Sequence, residues 1–398
     1  ITDRHAALVE RDKNRTSVII WSLGNESSFG KAFFEGAKYI RNHDSTRPIH
    51  YEGLRCADPK YYYTDLVDMV SMIRTIYADT NCVNKARLGK SDQIRPCVRC
   101  NTCIGRTHTQ RVDVRCAVNP VMGRQTHFDI RTKAPLSLNV AIVGGGPAGL
   151  EAARTASMRG HKVTLFEKEN TLGGMLRCAA AAEFKGDMRR YLDWSIRTVM
   201  QDENITVKLG TEADGAMLAG FDAVIAAIGA KPIIPAFPSK GSTLWAGDVD
   251  MNLAHCGKKV VIAGAGFTGL ECALALLKKG HEVLVIDMMG KEHLGEGGVE
   301  ISNIGLGQEL DKAGCEYKFN VKLVDVTSEG AVIAASDGSE ELLPCDSVVL
   351  SLGLRPDSAA IDKIAAARPD AVFVGDCTQS AGTLKNAVHS AFSAAWEL

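Results

Sequence analysis

From Leu138 to the C-terminus, short runs of aliphatic and β-branched residues alternate with longer stretches whose apolar positions recur every three or four residues. The short runs predict buried strands, the longer stretches amphipathic helices, and their alternation predicts α/β layers on parallel sheets. Residues 1–77 predict helix over Ala6–Arg11, strand over Val18–Leu23, helix over Lys31–Asn42, strand over Ile49–Glu52 and an apolar run near Met69–Ile76. From Ala78 to about Pro135 the periodicity fades, and Cys, Arg and Asn crowd in. The most membrane-like run, VVIAGAGFTGLECALALL at 260–277, carries Glu271 and several glycines. It predicts strand, turn and helix rather than a membrane span.

The pattern repeats internally. NVAIVGGGPAGLEAARTASMRGHKVTLFEKE, from Asn139, aligns without gaps on KVVIAGAGFTGLECALALLKKGHEVLVIDMM, from Lys259. Each copy reads strand, G-x-G-x-x-G, helix, Gly-His, strand and a terminal acid, and Glu167 and Asp287 each lie 23 residues beyond the first glycine. A lone glycine triplet is weak evidence, but two in this context predict two dinucleotide sites. The first glycine permits a tight turn, the second lets backbone approach a pyrophosphate, and the third lets helix pack on strand. The helix N-terminus offers free N–H groups to phosphate, and the acid can accept ribose hydroxyls. A purely structural βαβ unit is the bland alternative.

Charge narrows the partners. With 46 basic and 47 acidic residues the net charge is −1, and no Lys/Arg run marks a nucleic-acid surface. The chain opens on Ile1, so its true start is expected upstream or removed, and no charged-then-apolar leader precedes the first helix. A cytoplasmic setting is expected, with no membrane partner. The twelve cysteines then read as reduced thiols or metal ligands rather than a disulfide framework.

Four of them are spaced for a purpose. RPCVRCNTCIGRTHTQRVDVRC places Cys97, Cys100, Cys103 and Cys116 as C-x2-C-x2-C-x12-C. Three thiolates in seven residues and a fourth returning from a loop suit an iron–sulfur cube. Structural zinc more often uses two separated C-x2-C knuckles. Cys178, after LGGML, has no C-x2-C or C-x4-C partner, which argues against a disulfide-reductase mechanism.

With DAVIAAIGAKP (222–232) and VFVGDCTQSAGTLKNAV (372–388), the duplicated fingerprints resemble two-dinucleotide-domain flavoproteins. The resemblance implies FAD on Gly144, Gly146, Gly149, Glu167 and Asp376, and a nicotinamide nucleotide on Gly264, Gly266, Gly269 and Asp287. Asp287 would repel a 2′-phosphate and no arginine follows it in IDMMGK, so NADH is favoured over NADPH, although Lys291 could reach a phosphate. NKARLGKSDQIRPCVRCNTC, then CAVNP, then the first fingerprint, resembles the old-yellow-enzyme-like NADH:flavin oxidoreductases over residues 78–398. That family implies FAD, a 4Fe–4S cluster, and an FMN-binding barrel ahead of the cysteines that reduces an unsaturated substrate. One relative holds ADP where others hold FAD.

The first 77 residues carry something else. ERDKNRTSVIIWSLGNESSFG and RPIHYEG resemble the TIM barrel of family 2 β-galactosidases, which would make Asn25 a sugar contact and Glu26 the general acid/base. The bland alternative makes Asn25, Ser27 or Ser28 the cap of the following helix. Retaining glycosidases need a second carboxylate, and the one look-alike, Cys315-Glu316-Tyr317, falls in an ordinary strand pattern.

The expected organisation is therefore an incomplete barrel fragment (1–77), an iron–sulfur segment (78–136), an FAD domain (137–253 and 348–398) and an NAD(P) domain (254–347), both Rossmann-like. The FMN site is not expected among these residues. The expected function is hydride transfer from NADH to FAD and single electrons onward to the cluster and a small-molecule or protein acceptor, in a chain that can oligomerise. A glycosidase fragment and a non-catalytic truncated fusion are the rival readings.

Overall fold

The computed structural model describes residues 2–24, 31–52, 69–71, 73–108, 112–378 and 382–398. The chain divides into two compact units, Ile1–Ile76 and Tyr77–Leu398.

In the first unit, helices Thr2–Asp12 and Lys31–His43 alternate with strands Trp21–Ser22, Ile49–Glu52 and Met69–Ser71. The three strands pair in parallel and in sequence order, with Trp21 beside Ile49 and His50 beside Met69. Val9, Trp21, Phe33, Ile40, Ile49 and Tyr51 form the core. The first strand is shorter than the β-branched run Val18–Leu23 predicts. Ile19 is 72% exposed, and pairing starts only at Trp21, which is buried and donates its indole N–H to Asp44 (2.8 Å). Residues that project into solvent gain nothing from joining the sheet.

The second unit holds two parallel five-stranded sheets that match in the order of four strands and differ in where the fifth, at one edge, falls in the chain. In the first, Asn139–Val143 is central, with Lys162–Phe166 and Ile205–Lys208 on one side and Ala223–Ala226 and Val372–Phe373 on the other. In the second, Lys259–Ala263 is central, with Glu282–Ile286 and Glu316–Lys318 on one side and Ser347–Leu350 and Leu244–Trp245 on the other. This second sheet reaches past the 254–347 span that the motifs suggest. Trp245 pairs in register with Leu350, because a strand entering an apolar sheet edge satisfies its backbone there.

Helices Pro147–Arg159 and Leu384–Trp396 share one face of the first sheet through Ala148, Ala152, Ala156, Ala387, Ala391 and Ala395, whose small side chains let the backbones approach closely. Helices Phe267–Lys278 and Glu300–Lys312 cover one face of the second sheet. Its other face is covered by the antiparallel strands Val321–Val326, Gly330–Ala335 and Glu340–Pro344 through Val326, Ile333 and Leu343. Each such aliphatic side chain, fully buried, contributes about 1.5–3 kcal/mol. The expected strand–turn–helix at 260–277 is Lys259–Ala263 followed by Phe267–Lys278. Among the described residues no helix is long and apolar enough to cross a membrane.

Candidate functional site

Both fingerprints fold into the same local device. Gly144 and Gly264 turn the chain at φ 104° and 111°. A Cβ at Gly149 would overlap the carbonyl oxygen of Gly144, and one at Gly269 that of Gly264. Helices Pro147–Arg159 and Phe267–Lys278 start at Gly146 and Gly266 without a side-chain cap, so no side chain competes for their first N–H groups.

The two acids are positioned alike. Glu167 Oε2 accepts the N–H of Gly145 (2.6 Å) and Oε1 that of Glu169 (2.8 Å). Asp287 Oδ2 accepts the N–H of Ala265 (2.6 Å) and Oδ1 that of Met289 (2.8 Å). A carboxylate has about four acceptor positions, so each keeps capacity for ribose hydroxyls while the backbone fixes its orientation. Asp376 stands in the turn Gly375–Cys377, where a Cβ on Gly375 would press on Ala148 at 3.1 Å. The late Gly-Asp therefore meets the start of the first fingerprint helix. Burial raises the Asp376 carboxyl, against the Gly382 N–H that it accepts at 3.1 Å.

Two further repeats escape a search for glycine fingerprints. Gly173 N–H donates to the Gly145 carbonyl (2.8 Å), and Gly295 N–H to the Ala265 carbonyl (2.9 Å), so a second glycine loop crosses each fingerprint loop. In the second copy Glu296 also accepts the Phe267 N–H (3.0 Å), whereas the first copy has Pro147 there and no donor. The other repeat is AIGAKP at 227–232 and SLGLRP at 351–356. Ala227 N–H donates to Val143 and Ser351 N–H to Ala263, so each packs beside a first glycine. The two copies then pair with each other antiparallel, Ala230 with Pro356 and Lys231 with Arg355. The shared x-L/I-G-x-K/R-P spelling was the signal available in the sequence.

The cysteine segment packs onto the first sheet's domain. Cys97, Cys100 and Cys116 join one apolar cluster with Val98, Val118, Leu176 and Trp194. Arg99 and Asn101 adopt left-handed φ of 50° and 57°, which folds the C-x2-C-x2-C run back on itself. The Arg99 N–H donates to Cys97 Sγ (3.4 Å). Burial raises the Cys103 thiol and raises that of Cys116 to about 11, and in both the charges of Cys97 and Cys100 add to the rise. Cys97 and Cys100 thus lie near enough to act on both Cys103 and Cys116, and bound cations would offset the burial cost of four thiolates. Among the described residues no three His, Cys, Asp or Glu side chains converge as a single metal ion requires; a cube differs in holding its thiolates at separate corners. Asn101 Nδ2 donates to Ser302 (3.3 Å), tying this loop to the second half.

Cys178 is half-buried, with Met251 Sδ 3.6 Å away, and burial raises its thiol to about 11. That opposes thiol–disulfide exchange, which needs thiolate. Asn25 and Glu26 lie outside the described residues. The look-alike Glu316 opens edge strand Glu316–Lys318 of the second sheet, beside Leu284.

Comparison with known proteins gives two families, one for each end of the chain. A family described as pyridine nucleotide-disulphide oxidoreductase matches residues 138–391. Another, glycosyl hydrolases family 2, TIM barrel domain, matches residues 1–105. An NADH oxidase of Thermoanaerobacter brockii is 31% identical over 344 residues, covering 83% of this chain and 52% of the relative. A β-galactosidase of Staphylococcus xylosus is 38% identical over 100 residues, 25% of this chain and 10% of that one. The solved structure of a 2-naphthoyl-CoA reductase covers 100% of this chain with a TM-score of 0.85 at 21% identity, a likeness of fold, and is itself 62% covered. The chain thus spans about half the length of the NADH oxidase it matches.

Proposed function

The chain belongs to the pyridine nucleotide-disulphide oxidoreductase family, and on that premise we propose that it is an NADH-dependent flavin and iron–sulfur electron-transfer module, with both nucleotide halves Rossmann-like. The observation that carries this is the duplicated carboxylate–backbone geometry, Glu167 with Gly145 and Asp287 with Ala265, on sheets that share the order of four strands. When bound, FAD would take hydride from NADH and a four-iron cluster would carry electrons onward singly.

The chain's own residues bind and orient. Gly144, Gly146 and Gly149 would admit the FAD pyrophosphate, Glu167 would hold its ribose, and Asp376 would meet it from the late turn. Gly264, Gly266, Gly269 and Asp287 would do the same for the nicotinamide nucleotide. The exposed Met288 after Asp287 supports NADH over NADPH, since it offers a 2′-phosphate no charge. The fit of Cys97, Cys100, Cys103 and Cys116 to a 4Fe–4S cluster rests on the left-handed turns at Arg99 and Asn101 and on the N–H that Cys97 accepts. The acceptor would be a small molecule or protein reached from the cluster side. Residues 1–77 would be a barrel fragment of β-galactosidase type, with Glu26 lacking the second carboxylate that glycoside hydrolysis requires.

The test is an anaerobic absorption spectrum of protein reconstituted with iron, sulfide and FAD, recorded before and after NADH. Flavin and cluster bands that bleach on NADH addition are expected. Protein that binds flavin but ignores NADH would overturn the reading.

A further inference from the structure

Residues 290–299 form a glycine-rich strap between strand Glu282–Ile286 and helix Glu300–Lys312. The strap lies over the second fingerprint. Gly295 N–H donates to the Ala265 carbonyl (2.9 Å), and the Glu296 carbonyl accepts the Phe267 N–H (3.0 Å). Phe267 is the first residue of helix Phe267–Lys278, so this N–H is among those a fingerprint helix offers to a pyrophosphate. A Cβ on Gly266 would meet the same Glu296 oxygen at 3.5 Å. A backbone carbonyl therefore stands where a phosphate oxygen would have to arrive. The first copy is built otherwise, because Pro147 has no N–H for its glycine loop to cover.

The strap is weakly held. Asn303 Nδ2 donates to the Gly295 carbonyl (3.0 Å), but among the described residues the buried Asn303 Oδ1 has no partner. A buried acceptor left without a donor raises the energy of the closed strap. The contact of His293 with Glu296 (3.6 Å) is exposed and adds little. Gly295 and Gly297 take left-handed φ of 77° and 92°, and Gly298 follows them, so the backbone can turn there with no side chain to resist it. The far end is anchored, since Ser302 accepts Asn101 Nδ2 (3.3 Å) and a Cβ on Gly105 would strike Val299.

We propose that residues 290–298 close the second nucleotide site and that the pyrophosphate of an incoming dinucleotide displaces them, taking the Phe267 N–H from the Glu296 carbonyl. A phosphate oxygen carries charge and makes the stronger bond to that N–H. The proposal rests on the nucleotide reading of the second half and gives it a gate that the first half lacks.

Amide hydrogen exchange and titration calorimetry of the full chain with excess FAD test this. The probes are ADP-ribose, which carries the pyrophosphate and cannot donate hydride, and adenosine, which lacks the pyrophosphate. ADP-ribose should speed exchange across residues 290–298, the reverse of the slowing that a ligand usually brings, while adenosine leaves it unchanged. Gly297→Ala puts a Cβ into open space at a left-handed φ. It strains only the closed strap, so it should bind ADP-ribose about fivefold more tightly with native circular dichroism. Strap amides that slow or stay unchanged under bound ADP-ribose, or a Gly297→Ala chain that binds it no more tightly, would overturn the strap and leave the nucleotide reading standing. ADP-ribose that binds neither protein would overturn both.

Discussion

At the third glycine of each fingerprint, a Cβ would collide with the first glycine's carbonyl oxygen. Gly149→Ala must therefore open the first loop and should weaken FAD by about a hundredfold, roughly 3 kcal/mol, read as flavin lost on gel filtration. Gly269→Ala should leave flavin content intact and weaken NADH by a similar factor, read by stopped-flow flavin reduction at varied NADH. A second residue reports on the core between the two halves. Burial pushes the Asp250 carboxyl up to about 6, although the Cys272 thiol donates to it, and Glu271 adds to the rise. The folded state then holds this proton more tightly than the unfolded chain does. Its contribution to stability is full below the ordinary 3.8 and is lost as pH rises to about 6. Asp250→Asn should flatten the stability curve between about pH 4 and 6 and leave the variant up to about 3 kcal/mol more stable at pH 7, measured by urea unfolding.

At the scale of elements, helix and strand order was legible wherever apolar residues kept a period. Lys31–His43 and Ile49–Glu52 match the predicted spans to within a residue. The run at 18–23 misled because β-branched residues fit a strand whether or not a neighbour waits, and the neighbouring strand meets it only from Trp21 to Leu23. The cysteine loop was legible as spacing alone. What spacing could not convey is that Arg99 and Asn101 take left-handed backbone. Asparagine accepts that conformation and β-branched residues do not. Asn101→Val should therefore lower the iron bound after reconstitution by more than about half, whereas Asn101→Gly should keep it, with iron and sulfide assays as the readout.

For the whole molecule, the chain divides at Ile76 into two compact units. A chain beginning at Tyr77 should keep the far-ultraviolet signature of the α/β unit and bind FAD within about threefold of the full chain, since among the described residues the cores of that unit are built from Tyr77 onward. Loss of flavin binding in that shorter chain would show that the first unit is needed. The sequence by itself determined the parts held together by near neighbours: the glycine turns, the acid 23 residues on, the strand–helix alternation and the cysteine spacing. Their physics is local, because steric freedom at glycine and apolar periodicity act within one turn or one strand. Tertiary structure alone decided which distant segments meet. It brought Leu244–Trp245 to the edge of the second sheet, paired Ala230–Pro232 with Leu354–Pro356, and set Arg95 and Arg154 around one buried Glu151. Those contacts are chosen by burial and by the need to satisfy buried polar groups, and neither leaves a period along the chain.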